Sequence, residues 1–332
     1  MISHSWRRSH CAPVVRTLAL ALALSLAPDA SGQVSPPADT GPMEGEAETV
    51  ATFQKSVDEV NIFFSALDGH GRAVPGLSGS DFVVTDRRDP MPISFFQSQT
   101  DAPLRVTVAI DLSGSVEPWV KYEVQVATKF LASVVRPGDV AEIVGFGPRR
   151  FVQRDLPRAG ERLLAIVNNN PQMSTAVYDA VRSSCLEMSE AGAGSRHRNV
   201  LVLMSDGEDN SSRAKAGEAL RAVAESGVIV FVLYTGSSEP GKFLRAVARN
   251  SGGRVFGASS SGRAAKALTK LATMLREQYV IAFHPPDLRR DGTFHEVSIR
   301  PLRKGVKVYS RRGYYALAES SRAESVLRSR GR

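Results

Sequence analysis

Leu104-Arg105-Val106-Thr107-Val108-Ala109-Ile110-Asp111-Leu112-Ser113-Gly114-Ser115 is the stretch on which the fold turns. Its first seven residues make a short, nearly continuous apolar run, the composition of a strand buried on both faces of a sheet. The run stops on an acid, two serines and a glycine, and a helical pattern follows near Tyr122–Val135. The same texture recurs downstream. Apolar runs at Val140–Phe146, Val200–Met204, Val228–Tyr234 and Arg254–Phe256 alternate with helical patterns near Arg158–Val167, Ala176–Met188, Arg213–Glu225, Lys242–Arg249 and Ala264–Arg276. Such alternation predicts an α/β fold, a doubly wound and mostly parallel sheet with helices on both faces. In open sheets of this kind ligands bind outside the carboxyl ends of the strands, which is where Asp111 and its neighbours lie.

On either side of this core the texture becomes strand-like. Val57–Leu67, Asp81–Thr85 and Ile93–Gln97 precede it; Gln278–Phe283, Thr293–Arg300 and Val306–Ser310 follow, with turn signals at Asp68-Gly69-His70-Gly71 and Asp291-Gly292. The expected organisation is an N-terminal β segment over 53–103, the α/β domain over 104–276 and a C-terminal β segment over 277–317. The two β segments are expected to pair as one small domain into which the α/β domain is inserted.

The chain has 332 residues and a formal net charge of +8, but the excess is unevenly placed. Residues 1–32 hold +2, residues 33–288 hold −2 and residues 289–332 hold +8. A near-neutral body argues against a nucleic-acid binder. Arg7 and Arg8, the apolar stretch Leu18–Ala27 and the small residues Ala30-Ser31-Gly32 read as a cleavable secretory signal over 1–32. Its apolar stretch is too short for the roughly 20 residues that a helix needs to cross a bilayer. No transmembrane segment is expected after cleavage, so the protein is expected to be secreted or periplasmic. Residues 33–52 read as a flexible linker and residues 318–332 as a disordered basic tail. Only Cys11 and Cys185 occur, which excludes a disulfide framework and a thiolate zinc site; Cys185 is expected as a buried small hydrophobe.

Asp111, Ser113 and Ser115 offer an all-oxygen donor set, the type that suits a hard divalent cation. The strand Val200–Met204 ends in the same way, on Ser205-Asp206-Gly207-Glu208-Asp209, and Thr175 opens a helix, either as its N-cap or as a further oxygen donor. Together, Asp111-Leu112-Ser113-Gly114-Ser115, Thr175 and Ser205-Asp206-Gly207 resemble the metal-ion-dependent adhesion site of a von Willebrand factor type A domain. That family's pattern is Asp-x-Ser-x-Ser, a distant Thr and a distant Asp-Gly. Where Gly often precedes the family's Thr, this chain has Met173-Ser174. The resemblance covers about residues 104–276. It implies that Ser113, Ser115 and Thr175 hold one divalent cation through hydroxyls, with Asp111 and Asp206 touching it directly or through water. The cation is expected to be Mg²⁺, with Mn²⁺ or Ca²⁺ as alternatives, and its open position to take an acidic side chain of a protein ligand. Leu77-Ser78-Gly79-Ser80-Asp81-Phe82, Gln278-Tyr279 and Arg312-Gly313-Tyr314-Tyr315 are similar to exported bacterial proteins related to that family.

Other chemistry finds little support. No Gly-x-Ser-x-Gly elbow is present, Gly145-Phe146-Gly147 lacks the rest of a nucleotide loop, and the sequence has no His-Glu-x-x-His. His70, His197, His284 and His295 read as surface residues. Asp179 and Glu208 read as helix-terminal or turn acids, with Asp209 a candidate for the layer around the ion. Arg300, Arg303, Lys304, Lys307, Arg311 and Arg312 read as a solvated face. The expected function is metal-dependent binding rather than catalysis, the alternative being a cell-envelope structural or assembly factor whose metal site is dispensable.

Overall fold

The computed structural model describes residues 59–113, 117–169, 174–192, 197–286, 288 and 290–316. The expected signal, linker and basic tail lie outside them, as does Ser115. The chain runs β1 (Val60–Leu67), β2 (Phe82–Asp86), β3 (Asp89–Met91) and β4 (Ile93–Ser98) before the α/β core. The core comprises β5 (Leu104–Asp111), α1 (Glu117–Val134), β6 (Val140–Phe146), β7 (Arg150–Gln153), α2 (Leu156–Asn169), α3 (Val177–Gly192), β8 (Arg198–Ser205), α4 (Ala216–Ser226), β9 (Ile229–Tyr234), α5 (Lys242–Ser251), β10 (Val255–Gly257) and α6 (Ser261–Arg276). After it come β11 (Gln278–Phe283), β12 (Phe294–Pro301), β13 (Lys307–Ser310) and β14 (Gly313–Tyr315).

The central sheet has six strands in the order β10-β9-β8-β5-β6-β7. All its pairings are parallel except that of the edge strand β7 with β6. One face packs under α1, α2 and α6, through residues such as Val124, Leu163 and Leu271. The other packs under α3, α4 and α5, through residues such as Val181, Val223 and Val247. Both faces being covered, β5, β8 and β9 tolerate apolar residues at consecutive positions, and each large aliphatic side chain buried contributes about 1.5–3 kcal/mol. The chain leaves β5 for β6 on one side and later returns to β8 on the other. The strand order therefore reverses at β5, and Asp111 stands at its carboxyl end, the switch point of the sheet.

The flanking strands form two four-stranded antiparallel sheets, β13-β1-β11-β4 and β14-β12-β2-β3, and each mixes strands from before and after the core. Val60 lies opposite Phe283, and Phe82 opposite Pro301. The sheets share one apolar interior. In it Phe64 meets Phe82 edge to face at 5.1 Å and stacks on Tyr279 at 5.7 Å. This is a β-sandwich with the α/β core inserted between β4 and β11.

Several elements differ from the sequence expectation. β3, β7 and β14 are additional short strands. The β2–β3 hairpin turns on Arg87-Arg88, both with positive φ, where such a turn usually carries Asn or Gly. The helix expected from Arg213 begins at Ala216, because the Asp179 carboxylate accepts from the amides of Arg213 and Ala214, both at 2.9 Å. His295 is buried, contrary to the surface reading. Its Nδ1 lies 3.0 Å from Asp86 Oδ2, and Tyr314 donates its hydroxyl to the same oxygen at 2.8 Å. This cluster ties β2 to β12 and β14 and raises the Tyr314 pKa, through burial first and the Asp86 contact next. Cys185 is buried in α3, and burial pushes its thiol up to about 12.

Candidate metal centre

β5 delivers Asp111 to the sheet end with its side chain largely buried. Oδ1 accepts from the backbone N–H of Ser113 at 3.1 Å and from its hydroxyl at 2.6 Å, while Oδ2 accepts from the Ser205 hydroxyl at 2.8 Å. Two adjacent parallel strands, β5 and β8, thus end on one carboxylate. Thr175 completes the cluster from a third segment, its Oγ1 donating to Ser113 Oγ over a short distance.

Thr175 does not cap α3. The first amides of that helix are met from the loop after β8, where Asp209 Oδ2 accepts from Tyr178 N at 2.9 Å and Ser212 Oγ from Asp179 N at 3.0 Å. The same loop grips Thr175 itself. Asn210 Oδ1 accepts from its amide, and its carbonyl accepts from the amides of Asn210 and Ser211 and from the Ser211 hydroxyl. Its hydroxyl is thereby held toward Ser113. Asp209 holds the N-terminus of α3, a favourable place for a carboxylate. Asp179 is the helix-terminal acid that was expected.

Asp206 is exposed at the end of β8, its Oδ1 accepting from the Glu208 amide at 3.2 Å. The following glycine is required twice over. Gly207 has φ +81, and a Cβ there would stand 2.4 Å from Leu244 of α5. Its amide donates to Ser205 Oγ at 2.9 Å, which orients the serine that serves Asp111.

Burial raises the Asp111 pKa to about 6, against the opposing hydrogen bonds of Ser113 and Ser205 and with help from the charge of Asp206. A second acid, Glu123 on the buried side of α1, was not among the sequence candidates. Burial, followed by the charges of Asp111 and Asp206, raises it to about 8. Helical spacing could have exposed it, since Glu123 falls in phase with the core residues Val120 and Ala127. Burial is the main cause of both shifts, so each carboxyl holds its proton to a higher pH than a free one. Among the described residues no three His, Cys, Asp or Glu side chains are grouped to hold an ion. The oxygen set relies instead on hydroxyls with few formal charges, a donor chemistry that fits a hard divalent cation.

A doubly wound sheet with Asp111 and the hydroxyls of Ser113, Thr175 and Ser205 clustered at its switch point defines an α/β domain of the open-sheet class. The chain belongs to the von Willebrand factor type A domain family, whose model matches residues 106–271. Comparison with curated proteins found no match. Among solved structures, a von Willebrand factor type A protein from Catenulispora acidiphila is 13% identical, with a TM-score of 0.43, and the match covers 81% of this chain and 77% of that one. An aerotolerance-related membrane protein from Bacteroides fragilis is 19% identical over 51% of this chain and 98% of its own, with a TM-score of 0.40. The manganese-loaded TRAP protein of Plasmodium vivax is 13% identical over 70% of this chain and 99% of its own, with a TM-score of 0.39. Among the described residues no helix is long and apolar enough to cross a membrane.

Proposed function

We propose that the chain is an exported binding protein that grips an acidic group of a protein partner through a divalent cation. The cation is Mg²⁺ by preference, with Mn²⁺ or Ca²⁺ able to replace it. Asp111, Ser113, Ser115, Thr175 and Asp206 hold it, by hydroxyls and by carboxylates acting directly or through water. The observation that carries this reading is the chain of hydroxyls from Thr175 to Ser113 to Asp111, which joins segments far apart in sequence around one buried carboxylate. Such a cluster leaves a cation electrophilic enough to draw a carboxylate from outside. Binding rather than catalysis is favoured because the buried His295 is engaged by Asp86, and His197 lies 2.9 Å from Gly138 O. Export rests on the composition of residues 1–32.

Calorimetric titration with Mg²⁺ or Mn²⁺ tests the site. The wild type should bind, and Asp111→Ala should abolish binding; a wild type that takes up neither ion refutes the proposal. A pull-down with and without chelator then tests adhesion, whose partner should be lost when the metal is withdrawn.

A further inference from the structure

A groove of about 1030 Å³ runs between α5 and the strands β12 and β13. One wall is a row of cations, Lys242, Arg245 and Arg249, spaced three and four residues apart on one face of α5. At 1.5 Å of rise per residue this row is about 10 Å long. Arg254, Arg311 and Arg312 line the rest. Glu296 is the acid in this lining, lying 3.5 Å from Arg312, while Arg245 stands 4.0 Å from the exposed Glu239. Lys242, Arg249 and Arg254 make no ion pair among the described residues.

The cations stand on a fixed frame. Arg254 lies over the Tyr309 ring at 4.5 Å, and Arg311 donates to Asn61 O at 2.9 Å. The walls are joined where α5 ends: Arg312 N donates to Asn250 O at 3.1 Å, and Gly252, with φ +87, passes so close that a Cβ would stand 2.6 Å from Arg311 N. Two sheet edges also border the groove. β13 ends one sandwich sheet and contributes Val308, Tyr309 and Ser310, and β10 ends the central sheet and contributes Val255. Each has a strand partner on one side alone, β13 on β1 and β10 on β9, and just past β13 Arg311 bridges to Ser251 at the end of α5.

From this conjunction we infer that the groove binds an extended acidic peptide, whose backbone adds to a strand edge while its carboxylates meet the cation row. In a strand, alternate side chains fall on one side about 6.6–6.8 Å apart, so a row of about 10 Å engages two carboxylates. Arginine suits them as a bidentate donor. A nucleic acid fits less well, because the Tyr309 ring that a base would stack on is covered by Arg254. This site is separate from the metal centre and independent of metal.

Fluorescence anisotropy of the full chain, with a labelled peptide of alternating Glu and Val as probe and chelator present, tests it. Saturable binding is expected, weakened about tenfold or more when Gln replaces Glu, when alternate peptide amides are N-methylated, or in Lys242→Glu/Arg249→Glu. Both substituted positions are exposed, and an unchanged unfolding midpoint certifies the variant's fold. Absent binding, equal binding of the Gln or N-methylated peptide, or an unaltered double variant overturns the proposal. So does capture of inorganic polyphosphate without the peptide. Peptide binding that requires Mg²⁺ assigns the peptide to the metal centre, overturning this inference while leaving the proposed function standing.

Discussion

Replacing Asp111 by Asn should stabilise the metal-free protein at neutral pH. A carboxyl that titrates at about 6 in the fold and at 3.8 when free costs the folded state about 3 kcal/mol once both are ionised. The folded value is the higher one, so the cost is absent below the free value, grows between the two and is complete above the folded one. Asparagine keeps the shape and stays neutral. Its Oδ1 can still accept from Ser113, but its amide must face Ser205 Oγ, which already accepts from Gly207 N and whose proton loses its acceptor. That rearrangement costs about 1 kcal/mol, leaving a net gain of about 2 kcal/mol. At about 2–4 °C per kcal/mol for a domain of this size, the melting temperature in chelator should rise by about 4–8 °C. Thermal unfolding between about pH 4 and pH 8 should show the difference passing from a small loss at the acid end, where the rearrangement cost of about 1 kcal/mol is not offset, to the full gain above the folded pKa of about 6. With Mg²⁺ at about a hundred times its dissociation constant the wild type gains about 2.7 kcal/mol and the variant nothing, so the order reverses. A variant less stable than wild type in chelator at neutral pH, or a gain indifferent to pH, would refute the reasoning.

Three further outcomes are expected. In chelator the wild type should lose stability as pH rises through the range up to about 8 in which Glu123 sheds its proton, and Glu123→Gln should flatten that slope; equal slopes for the two proteins would count against the assignment. Thr175→Val should weaken Mg²⁺ binding about tenfold or more by calorimetry while Thr175→Ser retains it, since the hydroxyl and not the methyl meets Ser113. Asp86→Ala should cost about 1–3 kcal/mol in denaturant unfolding, because the buried His295 and Tyr314 lose their shared acceptor and keep only their mutual 3.2 Å contact; a loss below about 0.5 kcal/mol would show the cluster to be dispensable.

Much of the architecture is legible because strands buried on both faces are apolar at most positions, and β5, β6, β8 and β9 declare themselves in that way. Short edge strands lack such a signature. β3 is hidden further by its turn, since nothing in Arg87-Arg88 announces two positive φ values. The role of His295 could have been read from its strand, where it alternates in step with the inward Val297 and Ile299 while Phe294 and Glu296 point out. At the proposed metal centre, Asp111, Ser113 and Asp206 are legible as residues at strand ends. The grip of Asn210 and Ser211 on Thr175 is a product of loop closure, which no local pattern encodes. Arg311 and Arg312, readable only as solvated cations, gain a neighbourhood once β13 is set against α5 and β14 against α4.

The interleaving of the sandwich also fixes an order of events during synthesis. In its sheet β1 lies between β11 and β13, with Phe64 opposite Tyr279 on one side and Ser310 on the other. A chain elongated from its N-terminus at about 5–20 residues per second therefore carries β1 without partners for on the order of ten to forty seconds, while the whole α/β core is made. Throughout that interval Ile62 and Phe64 lack the cover they later receive, and both edges of the strand are open to pairing with another chain. Any product that stops short of Gln278 keeps that strand bare for good. Only a finished chain can conceal it, so an interrupted one displays its own incompleteness to chaperones and proteases.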